Sequence, residues 1–285
     1  MHAATAGDPN DPLLLLIHGT FGAWLDFREV IAPLADEGFY VAAVDMRGYG
    51  LSDKPPSRHG NDALYALGDI DGIITALGHE RAVIAGHDTG GAMGWGFAAC
   101  YPHRTTALIS ISAAHPHDLR TYLMARPWQL IPMLIRISVG RLPRPLLQRF
   151  SSRIPMLWRR ELLLNTTRAF HNTPAFEELL DARILAARTP NALRGVILNS
   201  RLLTPKIISL PDAAARRASA PVAAPVLAIH PPQSVWTGID RLARTRTTGP
   251  LRTASIPGTK NLPHVENPQG FVEEISRFLR GIDAV

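Results

Sequence analysis

The segment Gly86-His87-Asp88-Thr89-Gly90-Gly91 sets a single carboxylate between glycines. It follows the apolar run Ala82-Val83-Ile84-Ala85 and opens an apolar stretch from Gly90 to Cys100 with helical character. A strand that turns this abruptly into a helix can lift one side chain clear of the sheet. Such a turn strains that residue's backbone and crowds its neighbours, so the flanking positions must be glycine. The unpaired N–H groups and positive dipole end of the helix favour an anion there. Asp88 is therefore placed to attack an electrophilic carbon. A plainer reading, in which Asp88 only caps the next helix, stays open. A dinucleotide loop is disfavoured, because G-x-G-x-x-G is not matched.

Short apolar runs of β type precede the polar or glycine-containing segments. They are Leu13–Ile17, Tyr40–Val44, Ala82–Ala85, Ala107–Ser112, Val226–Ile229 and Leu251–Ile256. Continuous apolar strands of this length predict a parallel sheet covered on both faces by helices. Helices are expected over Asp62–Leu77, Gly90–Cys100 and Pro268–Leu279, the last opened by an Asn267 cap with proline in its first turn. The stretch from about His115 to Arg217 has no clear β run and many prolines, and reads as short helices inserted between two halves of the sheet. Open α/β sheets bind their ligands at the carboxyl ends of the strands.

Three further segments carry a resemblance: His18-Gly19-Thr20-Phe21-Gly22, Asp45-Met46-Arg47-Gly48-Tyr49-Gly50-Leu51-Ser52-Asp53-Lys54-Pro55, and the stretch Ile256–Pro268. With Gly86–Gly91 they resemble the epoxide hydrolase-like, aspartate-nucleophile branch of the α/β-hydrolase superfamily. The resemblance implies an α/β-hydrolase core over 1–114 and 218–285, with a helical cap over 115–217. It also implies a two-step reaction. Asp88 attacks an epoxide or alkyl halide to form an ester, and a histidine oriented by an acid then activates water. Thr20 and Thr89 are the implied backbone donors to the oxyanion. The family's usual β-hairpin ahead of the strand at Leu13 is expected to be nearly absent, since Met1–Pro12 is short and polar.

The chain departs from that pattern at the positions of the usual acid and base. Ser234 stands where the acid usually sits, with Asp240 six residues further on, and Asp118 is the carboxylate near the alternative position. Asn261 stands where the base usually sits, and amides are not bases at neutral pH. His264, three residues later, is the remaining candidate. Tyr122 and Trp128 are candidate substrate-binding residues of the insertion. Thr89 follows the nucleophile where haloalkane dehalogenases carry tryptophan, which disfavours dehalogenation. Two functions follow: an epoxide hydrolase-like enzyme acting on a small apolar substrate, or a catalytically impaired relative that binds a ligand or partner.

Composition narrows the context. The 285 residues are 46% hydrophobic and 19% charged, as expected of a soluble globular protein. The net charge of +6 rests largely on arginine, since Lys54, Lys206 and Lys260 are the three lysines. No nucleic-acid motif accompanies that charge, so no nucleic-acid partner is expected. Arginines interspersed through Trp128–Phe150 allow association with an anionic membrane, although a lid over an apolar pocket is the more economical reading. A single cysteine, Cys100, excludes an internal disulfide. No cofactor or metal is expected, and a cytoplasmic location is the default.

Overall fold

The computed structural model describes residues 1–55, 62–126, 154–190 and 220–282. A seven-stranded sheet runs through the molecule in the order β1-β3-β2-β4-β5-β6-β7. The strands are β1 (His2–Ala6), β2 (Leu13–Ile17), β3 (Tyr40–Asp45), β4 (Ala82–His87), β5 (Thr105–Ile111), β6 (Val226–Ile229) and β7 (Leu251–Ala254). All neighbours pair in parallel except β1, which pairs antiparallel with β3.

β2 shows why the sheet is buried on both sides. Alternate residues of a strand face opposite ways. Leu13, Leu15 and Ile17 enter one apolar core, while Leu14 and Leu16 enter the other. Against the first face lie α2 (Asp62–Ala76) and α3 (Thr89–Cys100), through Ile70, Ile74, Trp95 and Phe97. Against the second lie α1 (Arg28–Asp36) and a helix near the C-terminus, through Val30, Leu34, Phe271 and Leu279.

Between β5 and β6 the chain forms α4 (Pro116–Met124), α5 (Ile154–Asn165) and α6 (Pro174–Arg188). After β6 come α7 (Ser234–Arg246), the short α8 (Pro263–Glu266) and α9 (Pro268–Arg280). The expected cap of α9 is present: the Asn267 side chain accepts from the Gly270 N–H at 3.0 Å. Trp128 and the segment Trp128–Phe150 lie outside the described residues. No helix among the described residues is long and apolar enough to cross a membrane.

The N-terminal expectation needs correction. His2–Ala6 is a strand rather than a polar lead-in, and it adds antiparallel to the β3 edge. Its residues are mostly half-buried and small, so the hydrophobic alternation that would have marked it is weak.

The sheet reverses its winding between β2 and β4, because β3 lies on one side of β2 and β4 on the other. This is the switch point where an open α/β sheet leaves a crevice. The glycines around it are sterically required. A Cβ on Gly86 would lie 2.5 Å from the Gly90 backbone, and one on Gly90 would lie 2.4 Å from the Ile17 carbonyl oxygen. Backbone cannot yield as a flexible side chain can. Gly86→Ala should therefore cost about 2–3 kcal/mol, read as a lower urea midpoint at unchanged m-value. A midpoint equal to the parent's would show that the turn has slack.

Candidate active site

Asp88 lies between β4 and α3 with φ 49° and ψ −115°, a left-handed conformation rare for a residue with a Cβ. Its N–H is held by the Ile111 carbonyl of β5 at 3.1 Å. The side chain is only partly buried at the strand edge. Across the switch point, the Thr20 N–H donates to Asp88 Oδ2 at 3.2 Å. The Thr20 and Thr89 hydroxyls meet at 3.3 Å. Thr89 is the first residue of α3, so its N–H lacks an acceptor within the helix. The structure thus brings together Asp88, Thr20 and Thr89.

The loop bearing Thr20 is braced from below. His18 is fully buried. It donates from Nδ1 to the Gly19 carbonyl at 2.7 Å and accepts the Met46 N–H at Nε2, 3.1 Å away. Burial holds its pKa down, so it serves as a neutral strut. Asp45 ties the neighbouring turn, accepting from the Trp24 N–H at 3.0 Å and the Leu51 N–H at 2.9 Å. A Cβ on Gly50 would strike that carboxylate. The Asp45–Ser52 segment is scaffolding for the Thr20 loop.

The remaining residues singled out in the sequence lie elsewhere. Ser234 is exposed at the start of α7. Asp118 is buried and spent on an ion pair with Arg246, whose Nε lies 2.9 Å from Asp118 Oδ2. Asp240 accepts from His230 Nε2 at 3.0 Å, and Trp236 stacks on the same imidazole at 4.9 Å. Tyr122 is buried between α4 and α7, against Gly238 and under the Arg126 guanidinium. None of these contacts reaches Asp88.

Asn261 has a clear structural job. Its N–H donates to the Asn165 carbonyl at 3.0 Å, and its Nδ2 donates to Asn165 Oδ1 at 2.8 Å. Asn165 Nδ2 in turn donates to Glu161 Oε1 at 2.8 Å. Arg183 donates to Glu161 Oε2 at 2.9 Å and, through Nε and Nη2, to both oxygens of Asp26 at 2.9 and 2.8 Å. This chain of bonds joins the loop before α8, the helices α5 and α6, and the single 3-10 turn Trp24–Phe27 ahead of α1. The Asp26 and Arg183 side chains are 0% and 2% exposed. The two carboxylates hold the guanidinium pKa above its ordinary value despite its burial. Sequence reading missed this network, because its partners are 157 residues apart and no local pattern marks them.

His264 is fully buried. It stacks on Phe27 at 4.6 Å and lies 5.1 Å from the His87 ring, and neither of its nitrogens has a hydrogen-bond partner. Burial, and then the charges of His87 and Arg183, hold its pKa well below normal. His87 is also buried, and its pKa is lowered by burial against the opposing pull of Asp88. No group of three or more His, Cys, Asp or Glu suited to a metal occurs among the described residues.

Comparison with known proteins agrees with this fold. A family model for the alpha/beta hydrolase fold matches residues 12–137. The fold of this chain is that of the α/β-hydrolases, and the chain resembles the epoxide hydrolases. It is 40% identical to the AB hydrolase superfamily protein YfhM of Bacillus subtilis over 129 residues, 45% of each chain. It is 36% identical to Epoxide hydrolase 4 of Mus musculus over 129 residues, 45% of this chain and 36% of that one. These matches span less than half the length of either curated relative. Epoxide Hydrolase A from Mycobacterium thermoresistibile superposes with a TM-score of 0.71 at 25% identity, covering 98% of this chain and 94% of that one.

Two measurements test the buried groups of this protein. Asp26→Asn leaves Arg183 short of a counter-charge and should cost about 3–5 kcal/mol, visible as a lower urea midpoint. An unchanged midpoint would show that Glu161 suffices. His18, His87 and His264 all resist protonation when folded. In the unfolded chain they take up protons near the ordinary 6.5. The unfolded state thus binds more protons below that pH, and stability should fall as pH drops through it. His264→Phe should shallow that slope by up to about 1.4 kcal/mol per pH unit; an identical slope would mean that His264 is protonated in the native state.

Proposed function

We propose that the protein is an epoxide hydrolase-like hydrolase in which Asp88 is the nucleophile. The observation that carries this reading is the hydrogen bond from the Thr20 N–H to Asp88 Oδ2, across a left-handed turn. The turn presents the carboxylate at the strand edge as a nucleophile elbow does. Asp88 Oδ1 attacks an epoxide carbon, the C–O bond of the ring breaks, the released ring oxygen takes a proton from solvent, and a hydroxyalkyl ester forms. Water then attacks the ester carbonyl. Negative charge gathers on Oδ2, where Thr20 already donates and the Thr89 N–H at the start of α3 adds a second donor. The core over 1–114 and 218–285 holds this machinery, and 115–217 is its cap. The similarity to epoxide hydrolases in both comparisons supports the substrate class. The proposed partner is a small apolar epoxide.

A second reading is favoured by a specific observation. Asn261 occupies the position of the usual base and is committed to Asn165. A chain of this kind binds an apolar ligand at the switch point of the sheet without turning it over.

Incubation with styrene-type and aliphatic epoxides separates the readings. Diol formation that Asp88→Ala reduces to background is the expected result. Diol formation that persists in Asp88→Ala would refute the nucleophile. Binding without diol or adduct would favour the ligand-binding protein.

A further inference from the structure

The reaction proposed above needs a base for its second step, and neither position suggested by the sequence is well placed. The Asn261 amide cannot take a proton at neutral pH and is tied to Asn165. His264 is sealed between aromatic rings, and the charges that bear on it are those of His87 and Arg183, not of Asp88.

His87 differs on each count. Burial lowers its pKa, and Asp88 is the foremost of the charges that act on it. Its Nδ1 is buried and has no hydrogen-bond partner. That atom lies beside the missing side chain of Gly19: a Cβ there would sit 2.8 Å from His87 Nδ1 and 3.2 Å from Asp88 Oδ2. The imidazole nitrogen and the carboxylate oxygen thus border one side of the loop that carries Thr20. A base must present its lone pair on the side of the ester, and Nδ1 is the ring nitrogen on that side.

We infer that His87 Nδ1 is the base that hydrolyses the Asp88 ester. This inference rests on Asp88 being the nucleophile. Water donates a proton to Nδ1 as its oxygen bonds to the ester carbonyl carbon. The tetrahedral intermediate collapses, the bond from that carbon to the alkyl oxygen breaks, and the alkoxide takes the proton back from the imidazolium to give the diol. The new Asp88 carboxyl group loses its proton to solvent. Burial suits the ring to this task, because it keeps the imidazole neutral below the pH at which an exposed histidine would protonate.

The test uses the full chain with styrene oxide in rapid-quench single turnovers, following the Asp88 adduct by intact mass and the diol by chromatography. His87→Asn and His87→Phe serve as paired variants, with circular dichroism reporting their folding. Adduct formation should stay within a few-fold of the parent, and adduct decay should slow by about 10²–10⁴-fold. In the parent, decay should fall with decreasing pH only below 6.5, the ordinary histidine value, and this limb should vanish in both variants. Decay unchanged in folded variants, or slowed only in His264→Phe, overturns the inference while Asp88 stands as nucleophile. If neither variant folds, the parent profile decides: a limb below that value supports His87, and a flat profile overturns it. A parent that forms neither adduct nor diol refutes Asp88 and this inference together.

Discussion

The left-handed turn at Asp88 is the constraint on which the rest of the site depends. A residue with a Cβ pays roughly 1–3 kcal/mol to hold such a conformation, and here it is held from three directions. Gly86 and Gly90 allow the helix backbone to press against the strand. The Ile111 carbonyl holds the Asp88 N–H from β5. The Thr20 N–H meets the carboxylate from the far side of the switch point. The same turn leaves the carboxylate partly exposed at the strand edge, directly after the buried His87 that ends β4.

A second constraint explains the residue at 261. The Asn261 backbone N–H and its Nδ2 both donate to Asn165, and these two bonds fasten the loop before α8 to the end of α5. From there the bonds run through Glu161 to Arg183 and Asp26. Breaking a buried charge network at one member strands the others, so the amide at 261 is part of what joins the helices of the insertion to the core. Its Nδ2 is thereby withdrawn from chemistry.

The strands that build the site could be read directly from the chain. Leu13–Ile17 and Val226–Ile229 were uninterrupted apolar runs because both faces of the sheet are covered, and the glycines about Asp88 announced the turn by their spacing. β1 was hidden because a half-buried edge strand of small residues carries little hydrophobic signal. The roles of Asp118, Asp240 and Asp26 were hidden for a different reason. Each carboxylate is paired with a cation or imidazole whose position depends on tertiary packing: Arg246, His230 and Arg183. A sequence shows that a carboxylate is present but not which partner has claimed it. The same holds for His87, which looks like a packing residue until its unpartnered nitrogen is found beside Gly19.

The most direct test of Asp88 as a covalent nucleophile is the fate of water oxygen in a single turnover. With enzyme in excess over styrene oxide in ¹⁸O-water, hydrolysis of an Asp88 ester places the label in the Asp88 carboxyl group, and the diol leaves carrying an unlabelled carboxylate oxygen. The account therefore expects the peptide bearing Asp88 to gain one ¹⁸O and the first-turnover diol to gain none. A labelled diol with an unlabelled Asp88 peptide would mean that water attacks the substrate directly, and would contradict it.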